Sequence, residues 1–208
     1  MIALIDYGVG NLFSLTSSFA AIGQEAVVTS DPEVIRAADR LILPGVGAFG
    51  DAAKKLRESG MAEVVRSEAA SGKPVMGICL GMQLLFDKSC EYGEHEGLGL
   101  IRGEIRPISE VIDPDLKIPH IGWNALLFKK DSKLFKYIKE GDCVYFVHSY
   151  YAADCADSVT ATAEYSAELT ASVESGNVYG CQFHPEKSGD VGLNILRAFC
   201  ELPQGPLS

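Results

Sequence analysis

Cys79 stands inside Gly77-Ile78-Cys79-Leu80-Gly81, with the apolar run Lys73-Pro-Val-Met before it and Gly-Met-Gln-Leu-Leu-Phe after it. A thiol framed by glycines two residues either way fits a nucleophile held on a sharp strand-to-helix turn, because that turn leaves no room for flanking side chains. The first backbone N–H groups of the following helix would favour a thiolate there and can hold an oxyanion. Taken alone, the frame also fits a small buried core cysteine. A second chemical group is Gln182-Phe-His-Pro-Glu-Lys-Ser188. His184 and Glu186 are two residues apart, so an extended segment stiffened by Pro185 turns both to one side, the imidazole toward a thiol and the carboxylate behind it. By itself His184 also reads as a structural histidine; beside an elbow cysteine it completes a nucleophile, base and orienter. The third piece is Pro44-Gly-Val-Gly-Ala-Phe-Gly50. It lacks the Lys-Ser/Thr of a phosphate loop, but its glycines let N–H groups approach a substrate closely, which suits an oxyanion hole.

These groups need a frame that brings three distant segments to one edge. Short apolar runs alternate with amphipathic stretches through the first half: MIALID, EAVVTS, RLILP (40–44) and KPVMGIC as strands, and LFSLTSSFAAIG, DPEVIRAA and DAAKKLRESGMAEVVRSEAASG as helices. The last of these helices is expected to break near Gly60, LGMQLLF is expected to form a helix after Cys79, and Asp31-Pro32 reads as an N-cap followed by proline in the first turn. Strands apolar on both faces alternating with helices predict a doubly wound, mostly parallel α/β sheet flanked by helices, of flavodoxin-like type. All three chemical segments follow predicted strands, at the edge where such folds bind ligands.

From about residue 97 the pattern turns to strands, LGLIRGEIRPI, HIGWNALLF, DCVYFVHSYYA, SVTATAEY, ELTASVES and NVYGCQF, read as antiparallel or mixed additions to the sheet with a turn at Glu174–Asn177. A final helix over roughly 189–201 puts Val191, Ile195, Leu196 and Phe199 on one side. No linker, repeat or charge block divides the chain, so residues 1–208 read as one domain.

Composition narrows the function classes. The 208 residues carry 28 acidic against 18 basic side chains, a net charge of −10, which repels nucleic acid and anionic membrane surfaces. No apolar run reaches the length of a membrane helix and the N-terminus lacks a signal-peptide pattern, so a cytoplasmic protein is expected. The six cysteines form no C-x-x-C pair and the four histidines no i, i+4 pair. Free thiols are expected, five of them as packing residues, with no metal or other cofactor.

Together and in this order, PGVG, GICLGMQ and HPE resemble the class I glutamine amidotransferases over essentially the whole chain. The resemblance implies that Cys79, His184 and Glu186 hydrolyse glutamine to glutamate and ammonia. It further implies oxyanion N–H groups from Val46 and Leu80, with glutamine held by Gly47, Gln83 and the backbone around Ser149 and Tyr150. DYGVGN at 6–11, PGVGAF, Met82, PHIGWN at 119–124, YFVHSYY at 145–151 and HPEKS are similar to the glutaminase subunits of imidazole glycerol phosphate synthase, an enzyme of histidine biosynthesis. That likeness implies a heterodimer with a separate cyclase subunit built on a (β/α)₈ barrel, docked near Asn11, Trp123, Asn124 and Lys187. Trp123 alone could equally be core, and Gly122 beside it a bulge. Competing readings are the glutaminase of an aminodeoxychorismate or anthranilate synthase, against which Met82, HIGWN and HPEKS count, and a stand-alone cysteine hydrolase such as a peptidase or γ-glutamyl hydrolase. A donor of free ammonia should idle until its acceptor is docked, so segment 44–47 is expected to be incompletely formed in the isolated chain, with Gly45 and Gly47 permitting more than one peptide orientation.

Overall fold

The computed structural model describes residues 1–203 and residue 205. Four strand-then-helix units lead the chain: β1 (Ile2–Ile5) and α1 (Leu12–Ala21), β2 (Ala26–Thr29) and α2 (Pro32–Ala37), β3 (Arg40–Leu43) followed by α3 (Phe49–Glu58) and α4 (Met61–Ala70), then β4 (Val75–Ile78) and α5 (Leu80–Leu84). Local signals set these boundaries. The Asp31 side chain accepts the Glu33 N–H at 2.9 Å with Pro32 in the first turn, and Gly60, at φ 76°, separates α3 from α4 as expected. The helix after Cys79 is shorter than the sequence suggests: α5 ends at Leu84, and Phe86 already begins β5 (Phe86–Ser89).

The rest comprises β6 (His95–Glu96), β7 (Ile101–Pro107), β8 (His120–Ala125), β9 (Leu127–Phe128), β10 (Cys143–His148), β11 (Tyr150–Ala153), β12 (Val159–Glu164), β13 (Glu168–Ser175), β14 (Val178–Cys181) and α6 (Gly189–Cys200). The central sheet runs β2-β1-β3-β4-β14-β13-β12-β9, parallel from β2 through β14 and antiparallel beyond. Its parallel part has the flavodoxin-like order. β1, β4 and, after Arg40, β3 are apolar because both faces are covered: Ala3, Ile5, Leu41, Leu43 and Val75 pack under α2 to α5, while Ile2, Leu4, Ile42, Met76 and Ile78 pack toward α1 and α6.

Not all the later strands join this sheet. β10 and β8 form a separate antiparallel pair, and β11-β7-β5-β6 a four-stranded sheet of their own. The run DCVYFVHSYYA, read as one strand, is cut at Ser149, where the chain leaves one small sheet for the other. That break is what frees the backbone at 149–150 from a single continuous ladder. Gly122 marks no bulge, since β8 pairs with β10 in unbroken register from His120↔His148 to Ala125↔Cys143.

Candidate active site

The elbow is real and sterically enforced. Cys79 sits between β4 and α5 at φ 55°, ψ −113°, a conformation that costs a side-chain-bearing residue about 1–3 kcal/mol. A Cβ on Gly77 would lie 2.4 Å from the Gly81 carbonyl oxygen, and one on Gly81 would lie 1.8 Å from the Leu43 carbonyl oxygen. Both flanking positions therefore admit only glycine. The turn is tied down by the Cys79 N–H donating to the Cys181 carbonyl at 2.7 Å, which joins the elbow to β14.

β14 delivers the second segment. His184 is buried, and its Nδ1 lies 2.8 Å from Glu186 Oε1, itself buried. The route differs from the extended geometry expected from sequence: Pro185 opens a 3₁₀ turn over Pro185–Lys187, and the turn brings the carboxylate back under the ring. Because a carboxylate only accepts, Glu186 fixes the proton on Nδ1 and leaves Nε2 for the thiol. Burial pulls the His184 pKa down, but hydrogen bonding and charge from Cys79 and Glu186 outweigh it and lift the group to about 9. Ser188, the last residue of HPEKS, bolts this turn to β10: its Oγ donates to the His184 carbonyl at 2.6 Å and accepts the Tyr145 N–H at 3.0 Å.

The third segment closes the site. Residues 44–47 follow β3, and Val46 and Gly47 of this segment line, with Cys79, Leu80, Gln83, Ser149, Tyr150 and His184, one cavity of about 530 Å³. Among the described residues, no acceptor takes the Val46 or Leu80 N–H. The two loop glycines differ in role. A Cβ on Gly45 would meet the Gly81 N at 2.6 Å, so Gly45 serves close approach to the elbow, whereas Gly47 has open space and φ 92° and carries the conformational freedom.

Two further groups at this cavity went unread in the sequence. Tyr7, buried beneath the loop, donates its hydroxyl to the Pro44 carbonyl at 2.7 Å, and burial with the nearby Cys79 pushes its pKa well up. Glu91 is the one acidic residue lining the cavity, and its Oε2 accepts the Phe49 N–H at 2.6 Å. Tyr7 lies within DYGVGN and could have been flagged; Glu91, one of three acids in the run EYGEHE at 91–96, carries no sequence signal that singles it out.

His148 lines the cavity with His120 behind it: His120 Nδ1 and His148 Nε2 are 3.0 Å apart and His148 Nδ1 is 2.8 Å from the Tyr150 carbonyl. The carbonyl forces a proton onto His148 Nδ1, so His148 Nε2 accepts from His120. Burial, offset in part by the Tyr150 bond and reinforced by the charges of His120 and His184, lowers the His148 pKa to about 4.

The residues expected at a docking face divide. Trp123 and Ile121, each 58% exposed, share the outer face of β8, with Trp123 edge-on to Tyr145 and Lys187 Nζ 6.0 Å from the Tyr145 ring centroid. Val46 and Ile118, both exposed, line the cavity. Asn124 points the other way: its Nδ2 donates to the Glu164 carbonyl at 2.7 Å and lies 3.4 Å from His120 Nε2. Asn11 caps α1 by accepting the Ser14 N–H at 3.3 Å, beside the exposed Phe13. The five other cysteines are not uniformly packing residues, since Cys90 and Cys143 are exposed. Among the described residues, no His, Cys, Asp and Glu cluster could hold a metal ion and no helix is long and apolar enough to cross a membrane.

A family model for glutamine amidotransferase class-I matches residues 3–201. The chain is 51% identical over 202 residues to the imidazole glycerol phosphate synthase subunit HisH of Sulfurimonas denitrificans, covering 96% of this chain and 97% of that one. The HisH subunit of Aquifex aeolicus is 50% identical over 94% of each chain. Among solved structures, a crystal structure of a glutamine amidotransferase superposes with a TM-score of 0.74 at 20% identity, over 96% of this chain and 100% of that one. PurLQS from Thermotoga maritima gives 0.73 at 22% identity over 96% of each. At these identities the structural likeness is one of fold. About half of the residues shared with full-length relatives, and a family match running nearly end to end, lead to one conclusion about descent: the chain belongs to the class I glutamine amidotransferase family.

Proposed function

We propose that this chain, a single amidotransferase domain, is the glutaminase subunit of an imidazole glycerol phosphate synthase. Cys79, His184 and Glu186 would release ammonia from glutamine for a separate cyclase subunit in histidine biosynthesis. The observation that carries this reading is Cys79 on its strained turn against a histidine whose far nitrogen is held by Glu186 at 2.8 Å. His184 Nε2 takes the thiol proton and holds it, as its raised pKa favours, and the sulfur anion attacks the side-chain amide carbon of glutamine. Unpartnered N–H groups of Val46 and Leu80 receive the developing oxyanion. The C–N bond then breaks, ammonia leaves with the proton from His184, and a glutamyl thioester stays on Cys79. Water, deprotonated by the same nitrogen, releases glutamate and restores the thiol. Gly47, Gln83, Ser149 and Tyr150 hold the substrate, and the Glu91 carboxylate is placed to face its α-ammonium.

The exposed face of Ile121, Trp123 and Lys187, with Val46 and Ile118 exposed in the cavity lining, fits a docked ammonia acceptor, for which we propose the (β/α)₈ cyclase as heterodimer partner. No nucleic acid, membrane or cofactor enters the reaction, and we place the subunit in the cytoplasm. The test is ammonia release from glutamine by the purified chain, alone and with the cyclase and its ribotide substrate. Low turnover alone, strong turnover in the mixture and none with Cys79→Ala are expected. High turnover alone would favour an independent hydrolase.

A further inference from the structure

Two glutamines lock together beneath the nucleophile. Gln182, wholly buried just past β14, places Nε2 3.8 Å from Cys79 Sγ, and its Oε1 lies 3.0 Å from Gln83 Nε2, which is also 3.4 Å from the Tyr150 carbonyl oxygen. The far end sets the direction of this chain. A carbonyl only accepts, so Gln83 turns its NH₂ toward Tyr150 and the same NH₂ meets Oε1 of Gln182. Gln182 is left with its own NH₂ on the sulfur side.

We propose that Gln182 is a positioning residue for the glutaminase reaction, a hydrogen-bond donor that aims the Cys79 sulfur and stabilises it as an anion. The proposal deepens, and rests on, the reading of Cys79 as the glutaminase nucleophile. Three observations support it. Cys79 packs with Ile78, Phe146 and Phe183 in an apolar cluster, so a sulfur anion there needs donors. The neutral thiol points at the Val147 carbonyl, 4.0 Å away, which repels an anion. When the thiol proton passes to His184, that acceptor becomes useless and the Gln182 donor remains. Gln182 also stands two residues before His184, which brings both groups to the same sulfur from one strand end. An apolar side chain would fill this buried position equally well, whereas an amide is satisfied here only if both its ends are used. The chain also ties the sulfur to Gln83 and Tyr150, the groups assigned to glutamine.

The experiment is Gln182→Met in the full-length chain, which keeps length and removes the donor. Iodoacetamide alkylation at pH 7 is followed on the Cys79 peptide by mass spectrometry, so that exposed Cys90 and Cys143 do not contribute. Turnover is measured with the cyclase present, and folding by thermal melting. Loss of one donor to a charged group predicts about a tenfold slower alkylation and about a tenfold lower kcat, with KM within about twofold. A folded variant with unchanged alkylation and kcat overturns the proposal. If Gln182→Met does not fold, the unmodified chain decides: the Gln182 side-chain amide resonances must follow ionisation of Cys79 in an NMR titration, and resonances that stay fixed overturn it. Slowed alkylation with no glutamine turnover in either chain would keep the positioning role and remove the glutaminase reading.

Discussion

At the scale of single residues, the site works because each polar atom has few choices of partner. Glu186→Gln keeps the shape of the His184 contact but offers an amide that can face Nδ1 with a donor, so the imidazole loses its enforced tautomer. A fall in kcat of about 100-fold or more is expected with little change in KM, from steady-state ammonia release. Tyr7→Phe removes the one hydroxyl that holds the Pro44 carbonyl. It should lower stability by about 1 kcal/mol and partner-stimulated turnover several-fold, and equal turnover in both chains would show that the loop needs no such anchor. Cys79, His184 and Glu186 were legible in the sequence because glycine spacing and a His-x-Glu pair are local patterns. Glu91 and the inward turn of Asn124 were not, since each depends on a contact made across the fold.

At the scale of elements, the parallel half could be read almost strand by strand, because strands covered on both faces leave uninterrupted apolar runs and helices leave caps such as Asp31-Pro32. The strands after residue 97 could be found but not assigned, since period-2 patterns do not say which sheet a strand joins, and β5 and β6, short and partly charged, were missed. The break at Ser149 is the consequential case, as it turns one apparent strand into two and exposes backbone to the cavity. The 185–187 turn was missed for a related reason: proline starts a 3₁₀ turn as readily as it stiffens an extension. That turn hangs on Ser188, whose hydroxyl both donates and accepts. Ser188→Ala should cost about 1–3 kcal/mol in chemical denaturation, because the Tyr145 N–H loses its acceptor and the His184 carbonyl keeps only the Lys187 N–H at 3.0 Å. A change within 0.5 kcal/mol, on the scale of about ±0.5 kcal/mol for ordinary surface substitutions, would show that β10 and the turn hold without it.

For the whole molecule, the two shifted histidines set opposing pH limits. His184, lifted to about 9, contributes stability that is fully present below about 6.5 and is lost as pH rises through 9, because the folded chain binds its proton more tightly than the unfolded chain. His148, lowered to about 4, works in the other direction: its contribution is present above about 6.5 and is lost as pH falls toward 4, since unfolding then takes up a proton. These two groups together place maximum stability near pH 6.5, and melting temperatures across pH 4–9 check it; a curve rising steadily to pH 9 would contradict the His184 assignment. Docking belongs to this scale too. If Trp123 centres the proposed docking face, Trp123→Ala should weaken association with the proposed cyclase partner by about tenfold or more in calorimetric titration, as loss of a central exposed aromatic usually does. The backbone of Cys79 carries a different consequence. Its φ of 55° suits glycine, so the chain keeps its proposed nucleophile in a posture that its own folding disfavours. A Cys79→Gly chain should therefore outlast the unmodified one on heating, and heat tolerance selected without regard to turnover would tend to erase the sulfur proposed to do the chemistry.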